Sequence, residues 1–220
     1  MPAPNALPFP RLHPFVGLDV PWLVRSRAET YGDRPYLIWE PFEGEGRTYT
    51  YAEFATAVDR FAAGLAARGI RKGDFFLVHL GNCAEFLIAW FACSRLGAVV
   101  VTTNTKSSPD ELAYYAENCG AVAALTQPLF VDLVAASAPK LRFIATTALD
   151  QGAPPAAFTA SGVVRFEDID ADPVGLPDKP HDSLHFNSVQ YTSGTTARPK
   201  GVVWTHANVL WGARACATHL

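Results

Sequence analysis

The sequence is poor in cysteine and has no long run of charge of either sign. Its four cysteines show neither the C-x-x-C spacing of a metal or redox motif nor the density of a disulfide framework. The net charge of −3 comes without a basic cluster, which argues against a nucleic-acid-binding surface and a polybasic membrane patch. A reducing, cytoplasmic location and small-molecule chemistry are the expectations that remain.

Long apolar segments are missing as well. Residues 1–8 lack the basic stretch and apolar core of a secretory signal. The longest apolar run, residues 86–93, is much shorter than the ~20 residues that a membrane-spanning helix needs. We therefore expect a soluble protein without a transmembrane segment.

What the sequence does contain is a regular alternation of short apolar runs and helix signals from residue 50 onward. The runs that we interpret as strands are residues 75–80, 98–103, 121–126 and 142–147. Predicted helices occupy residues 50–69, 82–97, 108–118 and 129–138. Because strands buried on both faces appear as unbroken apolar runs, the pattern predicts an α/β fold, with a mainly parallel sheet covered by helices on both faces.

Several of the predicted helices carry start signals. Thr50 and Glu53 have the spacing of a capping box, Asn82 is a candidate cap of the next helix, and Ser108 precedes a proline suited to a first helical turn. The helix from residue 82 also carries Phe86, Trp90 and Phe91. Core packing is the commoner explanation of such an aromatic group, and a binding groove is the alternative.

The pattern divides the chain into four parts. We predict an N-terminal arm with a first helix and strand (1–47), an α/β subdomain (48–169), a proline-rich linker (170–183) and the start of a second subdomain (184–220). A predicted helix over residues 207–217 reaches the end of the chain without a C-capping glycine or a proline stop. We therefore expect a truncated, incomplete N-terminal domain.

The segment with the clearest chemical meaning follows a predicted strand at residues 184–191. Hydroxyl residues surround Gly194, and Lys200 and Gly201 close the loop. Glycine lets backbone N–H groups approach a ligand closely, hydroxyls donate hydrogen bonds to phosphate oxygens, and lysine supplies positive charge. An exposed turn would have the same composition, but the length and order favour a phosphate-binding loop, and the spacing is not that of a Walker A motif.

Residues 191–201 resemble the signature loop of the adenylate-forming superfamily, the AMP-dependent synthetases and ligases. Residues 48–54, 69–74 and 96–101, together with Asn104, resemble further segments of that family in the same order. Within it, the loop and residues 202–203 look most like bacterial acyl-CoA ligases, including carnitine and fatty-acid types.

This resemblance implies an acid–thiol ligase that uses ATP and Mg²⁺ to convert a carboxylic acid into an acyl-adenylate, and then coenzyme A to form the thioester. The residues that the family likeness assigns to ATP phosphate binding are Thr192, Ser193, Gly194, Thr195, Thr196, Ala197, Arg198, Pro199 and Lys200. Ala197 stands where glycine or serine is common in the family. The likeness assigns no catalytic residue and no metal ligand to this chain, since the groups that bind magnesium and ribose lie downstream in relatives.

Two functions stay open on the sequence alone. One is an acyl-CoA ligase of which this chain is an incomplete and, by itself, inactive portion. The other is a non-catalytic relative that acts by nucleotide binding or protein interaction. We expect a small-molecule carboxylate substrate as partner, no nucleic acid, and self-association through a truncated sheet edge that carries Val202, Val203 and Trp204.

Three histidines are candidates for functional residues. His181 and His185 flank Asp182, but a third metal ligand is not evident, so isolated surface histidines are the preferred interpretation. His206 lies where a strand gives way to a helix, and capping accounts for a polar residue there.

Overall fold

The computed structural model describes residues 14–176, 181–192 and 198–219. The helices are α1 (Val20–Tyr31), α2 (Tyr51–Ala67), α3 (Ala84–Leu96), α4 (Pro109–Cys119), α5 (Val131–Ser137) and α6 (His206–His219). The strands are β1 (Pro35–Trp39), β2 (Arg47–Thr50), β3 (Phe75–His79), β4 (Val99–Thr102), β5 (Ala121–Thr126), β6 (Ile144–Thr146), β7 (Val163–Arg165), β8 (Phe186–Thr192) and β9 (Lys200–Thr205).

Seven strands form the central sheet, in the order β7-β6-β5-β3-β4-β8-β9. Every neighbouring pair is parallel except β8 and β9, which are antiparallel. The strands β1 and β2 form a separate antiparallel pair. The α/β prediction with a mainly parallel sheet is confirmed.

The apolar core lies on both faces of this sheet. On one face Phe76, Val78 and Val100 pack with residues of α2 and α3. On the other face Leu77, Val99 and Val101 pack with residues of α4 and α5. Consecutive residues of one strand therefore serve opposite layers, which explains why the strands appear as unbroken apolar runs.

Two of the three predicted helix starts are confirmed, and one is wrong. Thr50 and Glu53 form a complete capping box, and Ser108 forms another with Glu111. The Asn82 cap is wrong, because α3 begins after Cys83 and no side chain caps it. Buried positions such as Ile88 hold this helix in place, so tertiary packing replaces the cap.

Two features of the second half of the chain were not predicted. The strand β7 has only three residues, too few for a periodic signal. The strand β8 pairs with β4, so residues 184–220 extend the sheet of residues 48–169. The division of the chain at 170–183 and the other proposed boundaries stay predictions.

The segment around the start of the predicted linker is fixed against α2. Arg60 forms a bidentate ion pair with Asp170, and the Arg68 guanidinium donates to the backbone oxygen of Asp168 at 2.6 Å. Between these anchors lies Gly64, where a Cβ atom would come within 2.6 Å of the carbonyl carbon of Ile169. Only a glycine allows the helix to approach this backbone so closely.

The strand β9 is an edge of the sheet, and its side chains remain accessible. Val202, Val203 and Trp204 are 40%, 44% and 37% exposed. Self-association through this edge stays a prediction. Among the helices of the described ranges, none combines the length and apolar character needed to cross a bilayer.

His79, the last residue of β3, is buried, and its burial is expected to make the stability of the fold depend on pH. His79 is fully buried, with Nδ1 2.8 Å from the Thr103 hydroxyl and its ring against that of Phe130. Burial lowers the pKa of the His79 imidazole from its ordinary 6.5 to about 4. The unfolded chain therefore binds a proton at pH values where the folded chain does not, so this contribution to stability is present above pH 6.5 and is lost as the pH falls toward 4.

We expect the free energy of unfolding to fall by about 2 kcal/mol between pH 7 and pH 5 on account of this group. Urea unfolding at both pH values measures it, with His79→Gln as the non-titrating variant and His219→Gln, at an exposed histidine, as the matched control. Acidic groups also titrate toward the lower pH. The quantity to compare between wild type and variant is therefore the change in the free energy of unfolding from pH 7 to pH 5. An equal pH response in wild type and His79→Gln would contradict the prediction.

Candidate functional site

The two ends of the predicted phosphate loop face each other across the β8–β9 hairpin. Thr192 is the register partner of Lys200, and Tyr191 that of Gly201. Of the nine predicted site residues, the structure places Thr192, Arg198, Pro199 and Lys200. The others, Ser193, Gly194, Thr195, Thr196 and Ala197, lie outside the described residues.

Helix α4 supports the β8 end of the loop. The ring of Tyr191 stacks on that of Tyr115, with centroids 4.2 Å apart, and its hydroxyl lies 2.8 Å from Asn118 Oδ1. Burial raises the pKa of the Tyr191 phenol, so the hydroxyl stays protonated and donates to the amide oxygen. The last residues of β8 are thus fixed to a capped helix.

The β9 end of the loop rests on the same helix. The Tyr114 hydroxyl donates to the backbone oxygen of Pro199 at 3.1 Å, and the Arg198 guanidinium lies 5.1 Å from the centroid of the Tyr114 ring. At Gly201 a Cβ atom would come within 3.1 Å of Val189 Cγ1, so the backbone of β9 runs close to the side chains of β8. The lysine before it is exposed, which leaves its ammonium group accessible to an anion.

A polar cleft of about 550 Å³ lies beside this hairpin, at the carboxyl ends of β3, β4 and β8. Ligands of open α/β sheets bind at this edge. The residues that line the cleft are Leu80, Gly81, Asn82, Phe86, Thr102, Thr103, Asn104, Thr105, Gln151, Gln190 and Tyr191. Among these described residues amide and hydroxyl groups dominate, and none of them carries a charged side chain.

Sequence reasoning missed most of this lining. Gln151 belongs to residues 150–162, a segment whose alanine, proline and glycine content is typical of a surface connection, yet its side chain reaches the backbone oxygen of Asn82 at 3.4 Å. Gln190 sits inside a strand, and only its place near the carboxyl end could have marked it. Asn104 was noted for family resemblance, without a role.

A second cavity, of about 490 Å³, opens beside Gly120 and Ala121, at the start of β5. Alanine is its most frequent lining residue, and Glu117 and Lys140, its charged members among the described residues, pair with each other at 3.6 Å. Its position at the amino end of the strand separates it from the loop.

The three histidines have structural partners. The interpretation of His181 and His185 as isolated surface groups is wrong: His181 Nδ1 lies 2.8 Å from Asp19 Oδ1, and His185 Nε2 donates to the backbone oxygen of Gly97 at 2.8 Å. Each ring joins residues 181–192 to an earlier helix, which no local pattern reveals.

His206 is buried, and its Nδ1 is 3.3 Å from the backbone nitrogen of Val20 and 3.2 Å from Asn187 Nδ2. The start of α6 is instead capped by Thr205, whose hydroxyl accepts from the backbone nitrogen of Asn208 at 3.2 Å. Within residues 14–176, 181–192 and 198–219, no three His, Cys, Asp or Glu side chains converge as a metal site.

The aromatic group of α3 packs as expected. Phe86, Trp90 and Phe91 are partly buried against the core cluster. Phe86 also lines the polar cleft, so the alternative of a binding groove stays open for that residue.

Comparison with known proteins identifies the family of this site. Residues 24–220 match the family model described as AMP-binding enzyme. The crotonobetaine/carnitine–CoA ligases of Citrobacter koseri and Escherichia coli O139:H28 are 34% and 35% identical over 188 residues, which is 83% of this chain. The chain spans about a third (35%) of the length of these relatives.

Solved structures agree with the sequence match. The apo structure of Mycobacterium smegmatis MbtA superimposes with a TM-score of 0.75 at 28% identity, covering 92% of this chain and 36% of that protein. Bacillus subtilis O-succinylbenzoate coenzyme A synthetase, solved with AMP, gives a TM-score of 0.70 at 28% identity, covering 90% and 45%. The chain therefore belongs to the AMP-binding enzyme family.

Proposed function

We propose that the chain provides the phosphate-binding part of an ATP-dependent acid–coenzyme A ligase, an enzyme that activates a carboxylic acid as an acyl-adenylate and transfers the acyl group to coenzyme A. The observation that carries the proposal is the register of β8 and β9, which sets Thr192 opposite Lys200, directly after Gln190 and Tyr191 of the polar cleft. The family match and the names of the acyl-CoA ligase relatives support the same reaction.

In this proposal a carboxylate oxygen attacks the α-phosphorus of ATP, and the bond to the β-phosphate oxygen breaks as pyrophosphate leaves. The thiolate of coenzyme A then attacks the acyl carbonyl, and AMP leaves. The described residues suit the first step, because the Lys200 ammonium and the Thr192 hydroxyl are donors for the charge that grows on pyrophosphate. Residues 193–199 complete the proposed phosphate site.

Mg²⁺ enters this proposal together with the nucleotide, since magnesium in such sites is held largely by substrate phosphates. We assign it no ligand on this chain. Location in the cytoplasm, where ATP and coenzyme A are supplied, is part of the same proposal.

We further propose that the 220-residue chain does not form an acyl-adenylate by itself, because it corresponds to about a third of its ligase relatives (35%). Positioning by the whole site supplies most of the rate in this chemistry. The measurement is carboxylate-dependent exchange of labelled pyrophosphate into ATP, with crotonobetaine, carnitine and short fatty acids as substrates. Exchange clearly above that of a Lys200→Ala sample would contradict this proposal.

The phosphate-binding role is tested on the same chain by the binding of MgATP, followed by calorimetry or by tryptophan fluorescence. We expect saturable binding that Lys200→Ala weakens and Lys72→Ala, at an exposed turn lysine, leaves unchanged. Equal affinities in the two variants would overturn the role of Lys200. Absence of binding in wild type would count against the proposed function.

A further inference from the structure

Tyr114 contacts residues at both ends of the phosphate loop. Its hydroxyl donates to Pro199 O at 3.1 Å, and its ring carries the guanidinium of Arg198 at 5.1 Å. The edge of the same ring meets Tyr191 on the opposite arm, with centroids 6.0 Å apart. The half-buried side chain of Tyr114 therefore contacts Tyr191 on the β8 arm as well as Arg198 and Pro199, the two residues that precede Lys200.

The helix that carries Tyr114 is a rigid base. Helix α4 begins with a complete capping box, and its next turns bury Leu112 and Ala116 against the sheet. Tyr191 is held to the same helix by Tyr115 and Asn118. The β8 arm is therefore attached to α4 through Tyr115 and Asn118 in addition to Tyr114. The contacts of Arg198 and Pro199 described above come from Tyr114.

We propose that Tyr114 is a positioning residue of the phosphate site, which fixes the backbone of residues 198–200 so that the Lys200 ammonium is presented to the nucleotide phosphates. This inference rests on the proposed function for its chemical meaning, but the positioning can be measured without any ligand. A cation–π contact and a hydrogen bond to the backbone act on adjacent residues, so their loss frees the same short segment.

Limited trypsin digestion of the 220-residue chain tests the proposal. The Lys200–Gly201 bond reports the order of the arm, since Pro199 blocks cleavage after Arg198, and the exposed Lys72–Gly73 bond is an internal reference of the same chemistry. Cleavage at an opened segment follows the population of its open form. The quantity compared between variants is the ratio of the two cleavage rates.

We expect Tyr114→Leu, which removes ring and hydroxyl, to raise this ratio about tenfold, and Tyr114→Phe, which keeps the ring, to raise it about threefold. Tyr31→Leu is the matched control, because Tyr31 also lies beneath arginines, at 5.9 and 5.4 Å from Arg27 and Arg34, but on α1. It is expected to leave the ratio unchanged. MgATP should slow cleavage after Lys200 in wild type, and less so in Tyr114→Leu.

The outcomes separate the two proposals. An unchanged ratio in Tyr114→Leu, or an equal rise in Tyr31→Leu, overturns the positioning role whatever MgATP does. A raised ratio without protection by MgATP in wild type supports positioning and counts against the proposed function. If Tyr114→Leu accelerates both bonds together, the chain has lost its fold, and Tyr114→Phe decides: a threefold rise supports the role, and no rise overturns it.

Discussion

Replacement of Lys200 by alanine is expected to slow acyl-adenylate formation at least ~100-fold in a ligase that carries this chain, because the loss of one donor aimed at developing charge costs about 3 kcal/mol in the transition state. The side chain is exposed at the start of β9 and stands opposite Thr192. Its charge is needed most when pyrophosphate departs, not when the acid binds. The kcat for adenylation should therefore fall while the KM for the carboxylate stays nearly constant.

Thr195→Ala is expected to act in the same direction, although Thr195 lies outside the described residues. Steady-state and single-turnover kinetics with varied carboxylate and MgATP measure both variants. Lys72→Ala is the control for the loss of one positive charge at an exposed position. A raised carboxylate KM at unchanged kcat would show that Lys200 contacts the acid rather than the phosphates.

Gly64→Ala is expected to lower the free energy of unfolding by about 3 kcal/mol, although alanine in the interior of a helix is ordinarily favourable. The added methyl would lie 2.6 Å from the carbonyl carbon of Ile169 and 2.7 Å from its oxygen. Backbone atoms held by Arg60 and Arg68 on either side cannot move away cheaply. The helix and the segment must separate, which also weakens those anchors.

Gly212→Ala in α6 is the matched control, since a Cβ atom there meets nothing within 4 Å. The same substitution should be neutral or stabilise by up to about 1 kcal/mol at that site. Thermal unfolding distinguishes the two, because about 3 kcal/mol corresponds to a shift of roughly 6–12 °C in a chain of this size. Equal melting temperatures for the two variants would mean that α2 and Ile169 are not in close contact.

Sequence patterns predicted the parts of the fold that depend on local chemistry. The capping box at Thr50, the N-cap at Ser108 and the strand at residues 121–126 follow from hydroxyl placement and unbroken apolar runs, and the structure has all three. The predicted cap of α3 is wrong because that helix is held by the burial of Ile88 and its neighbours and not by a local hydrogen bond. Tertiary packing of this kind leaves no mark at the helix start.

The part of the candidate site that lies in one continuous segment of the chain could be predicted from the sequence. Residues 191–201 could be singled out because order and spacing within them suit phosphate binding. The roles of Tyr114 and Gln151 could not be predicted, because their contacts with Pro199 and Asn82 join positions far apart in sequence. Which distant side chains meet at a strand end depends on the order of strands in the sheet, and composition does not contain that order.

The strand order has a consequence for synthesis of the chain. In the finished sheet β4 lies between β3 and β8, but residues 103–185 separate it from the second of these partners. At ribosomal speeds that separation is on the order of ten seconds, during which β4, with the apolar residues Val99, Val100 and Val101, has an open edge. The nascent chain is therefore most exposed to wrong pairing before β8 emerges, and β4 is the strand that a chaperone acting at the ribosome would have most reason to cover.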